Sequence, residues 1–235
     1  MMAPDPQPPS QFDAFACSYD SALAQGLAAT GEDREFFARG RIGWLKRCLA
    51  EIKFRPQTVM EFGCGTGANL PLLRELAGAG PVLGLEISAG SIEVAKTRIP
   101  ESVAELVQPT NYKPAAGVDL AFCNGVFHHI APAGRASAIE YVRECLRPGG
   151  LFALWENNPW NPGTRWVMRR IPFDRDAEMV TAADARILLE AAGFRILRTD
   201  YLFIFPHALR ALRPLEARLS GLPLGGQYQV LAVKR

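Results

Sequence analysis

Val59-Met60-Glu61-Phe62-Gly63-Cys64-Gly65-Thr66-Gly67 joins an apolar run, ending in a carboxylate, to three glycines at alternate positions. The pattern predicts a buried strand feeding a tight turn whose backbone must pass close to a ligand. Glu61, at the edge of that turn, would accept hydrogen bonds from ammonium or hydroxyl groups. Val82-Leu83-Gly84-Leu85-Glu86 is a second apolar run ending in a carboxylate. The two together describe a nucleoside site.

Two ligands compete for it. Gly63, Gly65 and Ala68 satisfy the G-x-G-x-x-G/A fingerprint of dinucleotide sites, and Glu86 lies near the offset expected for holding a ribose. Three details favour S-adenosylmethionine. Glu61 stands just ahead of the first glycine, where the amino-acid end of this cofactor offers a cation. Gly67 adds a third alternate glycine that a dinucleotide turn does not require. A long, mostly helix-like stretch precedes the motif, whereas dinucleotide domains often begin almost at the strand.

Working outward, Gly31-Glu32-Asp33 opens a helical pattern carrying Phe37, Trp44, Leu45, Leu49 and Ile52, which Pro56 ends. A strand is expected at 58–61, then a helix from near Gly67 bearing Leu70, Leu72, Leu73 and Leu76. After the strand at 82–86, Ser88 caps a helix that stops before Pro100. Strands are read at 103–108 and 118–123, and the next helix shows Ile139, Val142 and Leu146. Arg147-Pro148-Gly149-Gly150 terminates it and a strand follows at 151–156. Thr181 reads as an N-cap, with Gly193 just past that helix. Two β-rich runs, 195–205 and 227–234, close the chain. Such alternation implies an α/β, doubly wound, mostly parallel sheet with helices on both faces.

E-F-G-C-G-T-G, L-E-I-S, D-L-A-F-C-N-G-V-F-H-H-I and L-R-P-G-G-L-F together resemble a class I S-adenosylmethionine-dependent methyltransferase, from roughly Phe12 onward. The resemblance implies a Rossmann-like fold whose last two strands form an antiparallel pair at one edge. It does not specify the acceptor, because members methylate oxygen, nitrogen, carbon and sulfur. It also implies roles for individual residues. Gly63, Cys64, Gly65 and Gly67 would pass the backbone along the methionine and ribose parts, Glu61 would border the amino-acid end, and Glu86 would take the ribose hydroxyls. Ile87 would lie flat on the adenine and Asn111, or Thr110 in its place, would meet the adenine amine. Asn124 and Gly125 would border the methionine end. Phe12 to Asp20 is similar to an N-terminal signature in which Tyr19 covers the cofactor. An amphipathic helix start is the equal alternative there, and Arg39 and Arg41 read first as an exposed helix face, with pairing to the cofactor's carboxylate as the alternative.

The chain has 235 residues, 49% of them hydrophobic, enough for a full core, and the expected organisation is a lead-in over 1–11 and one domain over 12–235. A net charge of +2 gives no reason to expect nucleic acid or an anionic membrane surface as partner. No apolar run approaches the ~20 residues of a membrane span. The proline-rich start lacks the marks of a signal peptide. Five scattered cysteines without C-x-x-C fit a reduced cytoplasmic interior, and no metal site is expected. Oligomeric state stays open, a homodimer included.

On the acceptor side, His128 and His129 follow the fourth strand beside the expected methyl position. Either is a candidate general base, His128 first, or an element of helix shape. Glu156 is the third catalytic candidate. Trp155-Glu156-Asn157-Asn158-Pro159-Trp160 follows the fifth strand, so Trp155, Asn157 and Asn158 are candidate acceptor contacts, with Trp160, Trp166 and Tyr228. The charge alternation through Arg170, Asp174 and Glu178 reads as a solvated face, and His207 as structural. The function expected is methyl transfer to a small molecule. The alternatives are an enzyme that uses another part of the cofactor, such as a cyclase releasing methylthioadenosine, and a binding module without catalysis.

Overall fold

The computed structural model describes residues 11–175 and 177–235, so the expected lead-in over 1–11 lies almost wholly outside the described residues. Two helices come first, α1 (Tyr19–Leu27) and α2 (Arg34–Glu51). Asp33 starts α2 by accepting a hydrogen bond from the Phe36 amide, satisfying one of the amides that a helix start leaves unpaired. The alternating body runs β1 (Val59–Phe62), α3 (Leu70–Ala77), β2 (Val82–Leu85), α4 (Ala89–Lys96), β3 (Glu105–Val107) and β4 (Val118–Asn124). It continues through α5 (Pro132–Cys145), β5 (Leu146–Asn157), α6 (Pro162–Met168), α7 (Ala182–Ala191), β6 (Phe194–Leu202), α8 (Glu216–Leu219) and β7 (Gln227–Lys234).

The seven strands form one sheet in the order β3-β2-β1-β4-β5-β7-β6. All neighbours from β3 to β5 are parallel, and β7 runs antiparallel to both β5 and β6. The last strand is thus inserted between β5 and β6, so only β6 is the free edge of the expected antiparallel pair. Both faces of the sheet are covered. Met60, Phe152, Leu154, Tyr228 and Val230 pack on one side with α5 and α7. Val59, Leu120, Phe122, Leu151, Trp155 and Leu231 pack on the other with α2 and α3. Burial on both faces is why these strands read as continuous apolar runs instead of alternating ones.

Several boundaries differ from the sequence reading, most of all the start of β5. The strand expected from residue 151 begins at Leu146, because Leu146 pairs with Val118 and the register then slips through Pro148-Gly149-Gly150 before Leu151 meets Leu120. The long connection before β7 forms a 3-10 helix over His207–Leu215, kinked at Leu209, followed by the short α8. Glu32 clamps this connection, with the His207 Nδ1 2.8 Å away and Arg213 Nη2 donating at 2.6 Å. Among the described residues, no helix is long and apolar enough to cross a membrane.

Strand order reverses between β1 and β4, since chains leave β1 in one direction along the sheet and β4 in the other. In doubly wound sheets such a point opens a crevice beyond the carboxyl ends of the strands. The glycine turn, the end of β4 and the end of β5 all lie there.

Candidate active site

Glu61, the next-to-last residue of β1, is buried and its Oε1 accepts from Asn69 Nδ2 at 2.6 Å. Its Oε2 is buried without a hydrogen-bond partner among the described residues. Burial lifts the carboxyl to about 8, against the pull of Asn69 and of the nearby Arg41. Arg41 is buried as well, with Nη1 donating to Gln227 at 3.0 Å, and burial lowers its guanidinium to about 10. A buried carboxylate with one free oxygen is short of a cation or hydroxyl donor, and Arg41 supplies charge without a direct bond.

The turn after Glu61 uses glycine for two reasons. Gly63, Gly65 and Gly67 all have positive φ, which disfavours other residues. At Gly63 a Cβ would also sit 2.3 Å from Val126 Cγ2, whereas at Gly65 a Cβ would meet no atom of the described residues within 4 Å. Gly65 therefore leaves room for something other than protein. Glu86 closes the turn from β2, accepting from Gly65 N at 2.8 Å and from Ser88 N at 2.9 Å.

A cavity of about 360 Å³ extends from this turn. Glu61, Gly63, Gly65, Asn124 and Gly125 border it on the sheet side, and Tyr19 on the other. Tyr19 stacks on Phe173 with centroids 4.5 Å apart, and burial raises its phenol to about 12, which keeps it neutral. Further out the wall turns apolar, with Phe36, Phe37, Trp166, Val167, Phe203 and Phe205.

His128 and His129 line the same cavity from the turn after β4. Glu156, near the end of β5, holds this turn with both oxygens. Oε1 accepts from Phe127 N at 2.7 Å and Oε2 lies 2.6 Å from His128 Nδ1. Asp174 stands on the opposite side, its Oδ1 3.1 Å from His129 Nε2 and 3.5 Å from His128 Nε2. Burial alone lowers the His128 imidazole, but the flanking Glu156 and Asp174 carboxylates outweigh it and raise the group well above its ordinary value. His128 consequently carries its proton at neutral pH, which makes it a poor general base in this arrangement.

Residues 60–152 match the family model of the methyltransferase domain. The chain is a class I S-adenosylmethionine-dependent methyltransferase. It is 28% identical over 182 residues to the trans-aconitate 2-methyltransferase of Azoarcus sp., covering 76% of this chain and 69% of that one. It is also 28% identical over 187 residues to the demethylmenaquinone methyltransferase of Symbiobacterium thermophilum, covering 71% and 68%. The methyltransferase solved in complex with the Haloferax volcanii Trm112 methyltransferase activator shares the fold, with TM-score 0.64, 19% identity and coverage of 97% and 99%.

The residues of this methyltransferase fit the cofactor. The open space over Gly65, the orphaned Glu61 oxygen and the Glu86 carboxylate lie together at the switch point, where a nucleoside with an ammonium group needs them. Of the residues singled out in the sequence, the structure brings Tyr19, Glu61, Gly63, Cys64, Gly65, Asn124, Gly125, His128, His129 and Asn157 to the cavity. Gly67 lies behind it, where a Cβ would meet Ile99 at 2.8 Å. Glu86, exposed Ile87 and Asn111 lie outside the cavity wall, the first at the end of β2 and the last after β3.

Three candidate acceptor contacts are placed elsewhere. Trp155 is fully buried between the sheet and α2, because its odd register on β5 points it away from the His128 side. Asn158 is fully buried and its amide donates to Pro223 O at 3.1 Å and Gly225 O at 2.8 Å, so it ties loops together. Tyr228 is fully buried and donates to Val180 O at 2.9 Å. Trp160 points to solvent, whereas Trp166 does reach the cavity and also packs under Arg170.

Asp174 and Arg41 correct the sequence reading in the other direction. Both were expected on solvated faces, and both are buried against the site, while Arg39 does stay exposed beside Glu35. Arg34 was not singled out. It borders the cavity, pairs with Asp20 and donates to Thr66 Oγ1 at 3.1 Å, joining α1, α2 and the glycine turn. Only tertiary contacts reveal these roles, since a charged residue in a helix or turn reads as exposed by default.

Proposed function

We propose that this methyltransferase transfers the methyl group in line to a small-molecule acceptor held in the 360 Å³ cavity. The observation that carries this is the continuity of that cavity, from Glu61 and Gly65 at one end to the aromatic wall of Phe36, Phe37 and Phe203 at the other. A space of that size suits a small organic molecule. The cofactor supplies an activated methyl group on its sulfonium. What remains for the protein is placement, which can contribute several kcal/mol.

In this reading Glu61 binds the cofactor's ammonium group, Glu86 its ribose hydroxyls and Ile87 one face of its adenine, with Asn111 or Thr110 at the adenine edge. Gly63, Cys64, Gly65, Asn124 and Gly125 line its methionine end, and Tyr19 with Phe173 covers it. Arg34 and Arg41 are the cations within reach of its carboxylate. The acceptor lies between Asn157, Trp166 and Phe203, with His128 on the wall nearest the sheet and Glu156 buried behind it. That two relatives of similar identity bear different acceptors in their names supports a small molecule without choosing one.

The test needs no acceptor at first. Incubating the protein with S-adenosylmethionine alone and following nucleosides by mass spectrometry should leave the cofactor nearly intact. S-adenosylhomocysteine should then accumulate only when a panel of small carboxylic acids and phenols is added. Many turnovers of methylthioadenosine without an acceptor would replace the transfer reading by a cyclase, whose nucleophile is the cofactor's own amino group.

A further inference from the structure

Three side chains in the cavity wall bring together two imidazoles and one carboxylate. A ligand atom from each of His128, His129 and Asp174 lies within 4.8 Å of the others, a grouping found once among the described residues. Asp174 Oδ1 is 3.1 Å from His129 Nε2 and 3.5 Å from His128 Nε2. Two ligands about 2.0–2.1 Å from a tetrahedral zinc stand roughly 3.3 Å apart, so both separations suit a shared ion.

A second observation is independent of that spacing. Among the described residues, His128 Nε2 is buried and has no hydrogen-bond partner, since 3.5 Å to Asp174 is too long for a well-made bond. Meanwhile Nδ1 is fixed against Glu156 at 2.6 Å. A carboxylate behind one imidazole nitrogen, with the other left for an ion, is the arrangement that orients metal-bound histidines. Charge points the same way. Glu156 and Asp174 are both buried, and a divalent cation held by imidazoles that give up their extra protons to solvent brings the group to zero net charge.

The backbone holds this geometry with no help from the three side chains. Arg135 is buried, its Nε donating to Phe127 O at 3.1 Å and Ile130 O at 2.9 Å, and its Nη2 to Glu178 O at 2.7 Å. Glu178 N in turn donates to His128 O at 3.1 Å. The histidine turn is thereby tied to Glu178, four residues beyond Asp174.

We propose that His128, His129 and Asp174 bind one divalent first-row transition-metal ion, whose open positions take an oxygen of the acceptor. Two imidazoles and a carboxylate suit zinc, iron, manganese or cobalt and leave room for further ligands. The metal site stands on its own, while its use on an acceptor rests on the small-molecule reading above. In that use the acceptor O–H loses its proton to solvent and an O–CH₃ bond forms. The C–S bond breaks with its electron pair staying on sulfur, and nothing is oxidised or reduced.

The experiment uses the full chain without a histidine tag, stripped with a chelator and titrated with cobalt(II) chloride, with zinc chloride in competition. The expected result is one equivalent of cobalt with visible d–d absorption that zinc abolishes. His129→Ala and Asp174→Asn should each weaken binding by at least ~100-fold, and Glu156→Gln by ~10–100-fold, the usual loss when the group behind a ligand is removed. Thermal melting and S-adenosylhomocysteine binding identify which variants are folded, and His129, whose side chain is 10% exposed against 8% for Asp174 and 2% for His128, is the least enclosed of the three. The site is overturned if cobalt gives no saturable spectrum up to millimolar concentration, or binds His129→Ala as it binds the parent. Metal binding that survives where no oxygen acceptor is methylated supports the site and overturns its assigned use.

Discussion

The backbone amide of Gly65 donates to Glu86 Oε2 at 2.8 Å, so the carboxylate ending one strand holds the turn that leaves its neighbour. Glu86 is therefore both a candidate ribose acceptor and a brace for the glycine turn. Glu86→Ala should weaken binding of S-adenosylhomocysteine by ~1–3 kcal/mol, the scale for leaving buried polar groups without a partner. It should also lower the melting temperature, because Gly65 N and Ser88 N each lose an acceptor. Calorimetry and a melting curve separate the two effects, and unchanged affinity would remove Glu86 from the site.

The glycines of the turn should fail in different ways. Gly65→Ala places a methyl in open space at φ 53°, so the strain is about 1–2 kcal/mol and the fold should survive. The same methyl enters the space assigned to the cofactor, and affinity should fall at least ~10-fold. Gly63→Ala drives its methyl to 2.3 Å from Val126 and should instead destabilise the protein itself. Melting curves of the two variants, with and without S-adenosylhomocysteine, test this, and equal behaviour would contradict it.

How much was legible in the sequence follows from the same turn. Alternate glycines next to a carboxylate are a local signal, because each position is forced by backbone conformation or by a strand end. Glu61, Gly65 and Glu86 could be read that way. Asp174 could not, since its role depends on the turn after β4 meeting a segment some fifty residues later through Arg135. Trp155 and Tyr228 failed for other reasons. Tyr228 stands one residue from Gln227, which lines the cavity, so alternation along the strand turns its side chain to the core. Trp155 shares the face of Asn157 but lies one pleat further from the strand end.

Tyr228 makes that distinction measurable. Tyr228→Phe keeps the ring in the core and leaves Val180 O without its donor, so it should cost ~1–3 kcal/mol of stability. For a chain of this size that is a drop of roughly 2–10 °C in melting temperature. Methyl transfer measured well below the transition should be unaffected. Asn157→Ala should do the reverse, because Asn157 borders the cavity and its Oδ1 accepts from Gln227 Nε2 at 3.0 Å. There KM for the acceptor should rise with little change in melting, and the opposite pattern in the pair would exchange their assigned roles.

Glu61 predicts a pH dependence with a definite sign. Burial holds its carboxyl at about 8 in the free protein, against the usual 4.5. A cofactor ammonium needs the ionised form, so binding near neutrality must expel a proton. Affinity should fall as pH drops from 8 to 6, approaching tenfold per unit, and calorimetry at pH 7 in buffers of different ionisation enthalpy should register about one proton released. Stability follows from the same two values. Between 4.5 and about 8 the folded protein keeps a proton that the unfolded chain has lost. The Glu61 contribution is thus fully present below 4.5 and is lost as pH rises through 8. Glu61→Gln should melt like the parent near pH 5, melt several degrees above it near pH 9, and lose the pH slope of cofactor binding along with most of its affinity. A parent affinity that stays flat between pH 6 and pH 8 would contradict the assignment of Glu61 to the ammonium group.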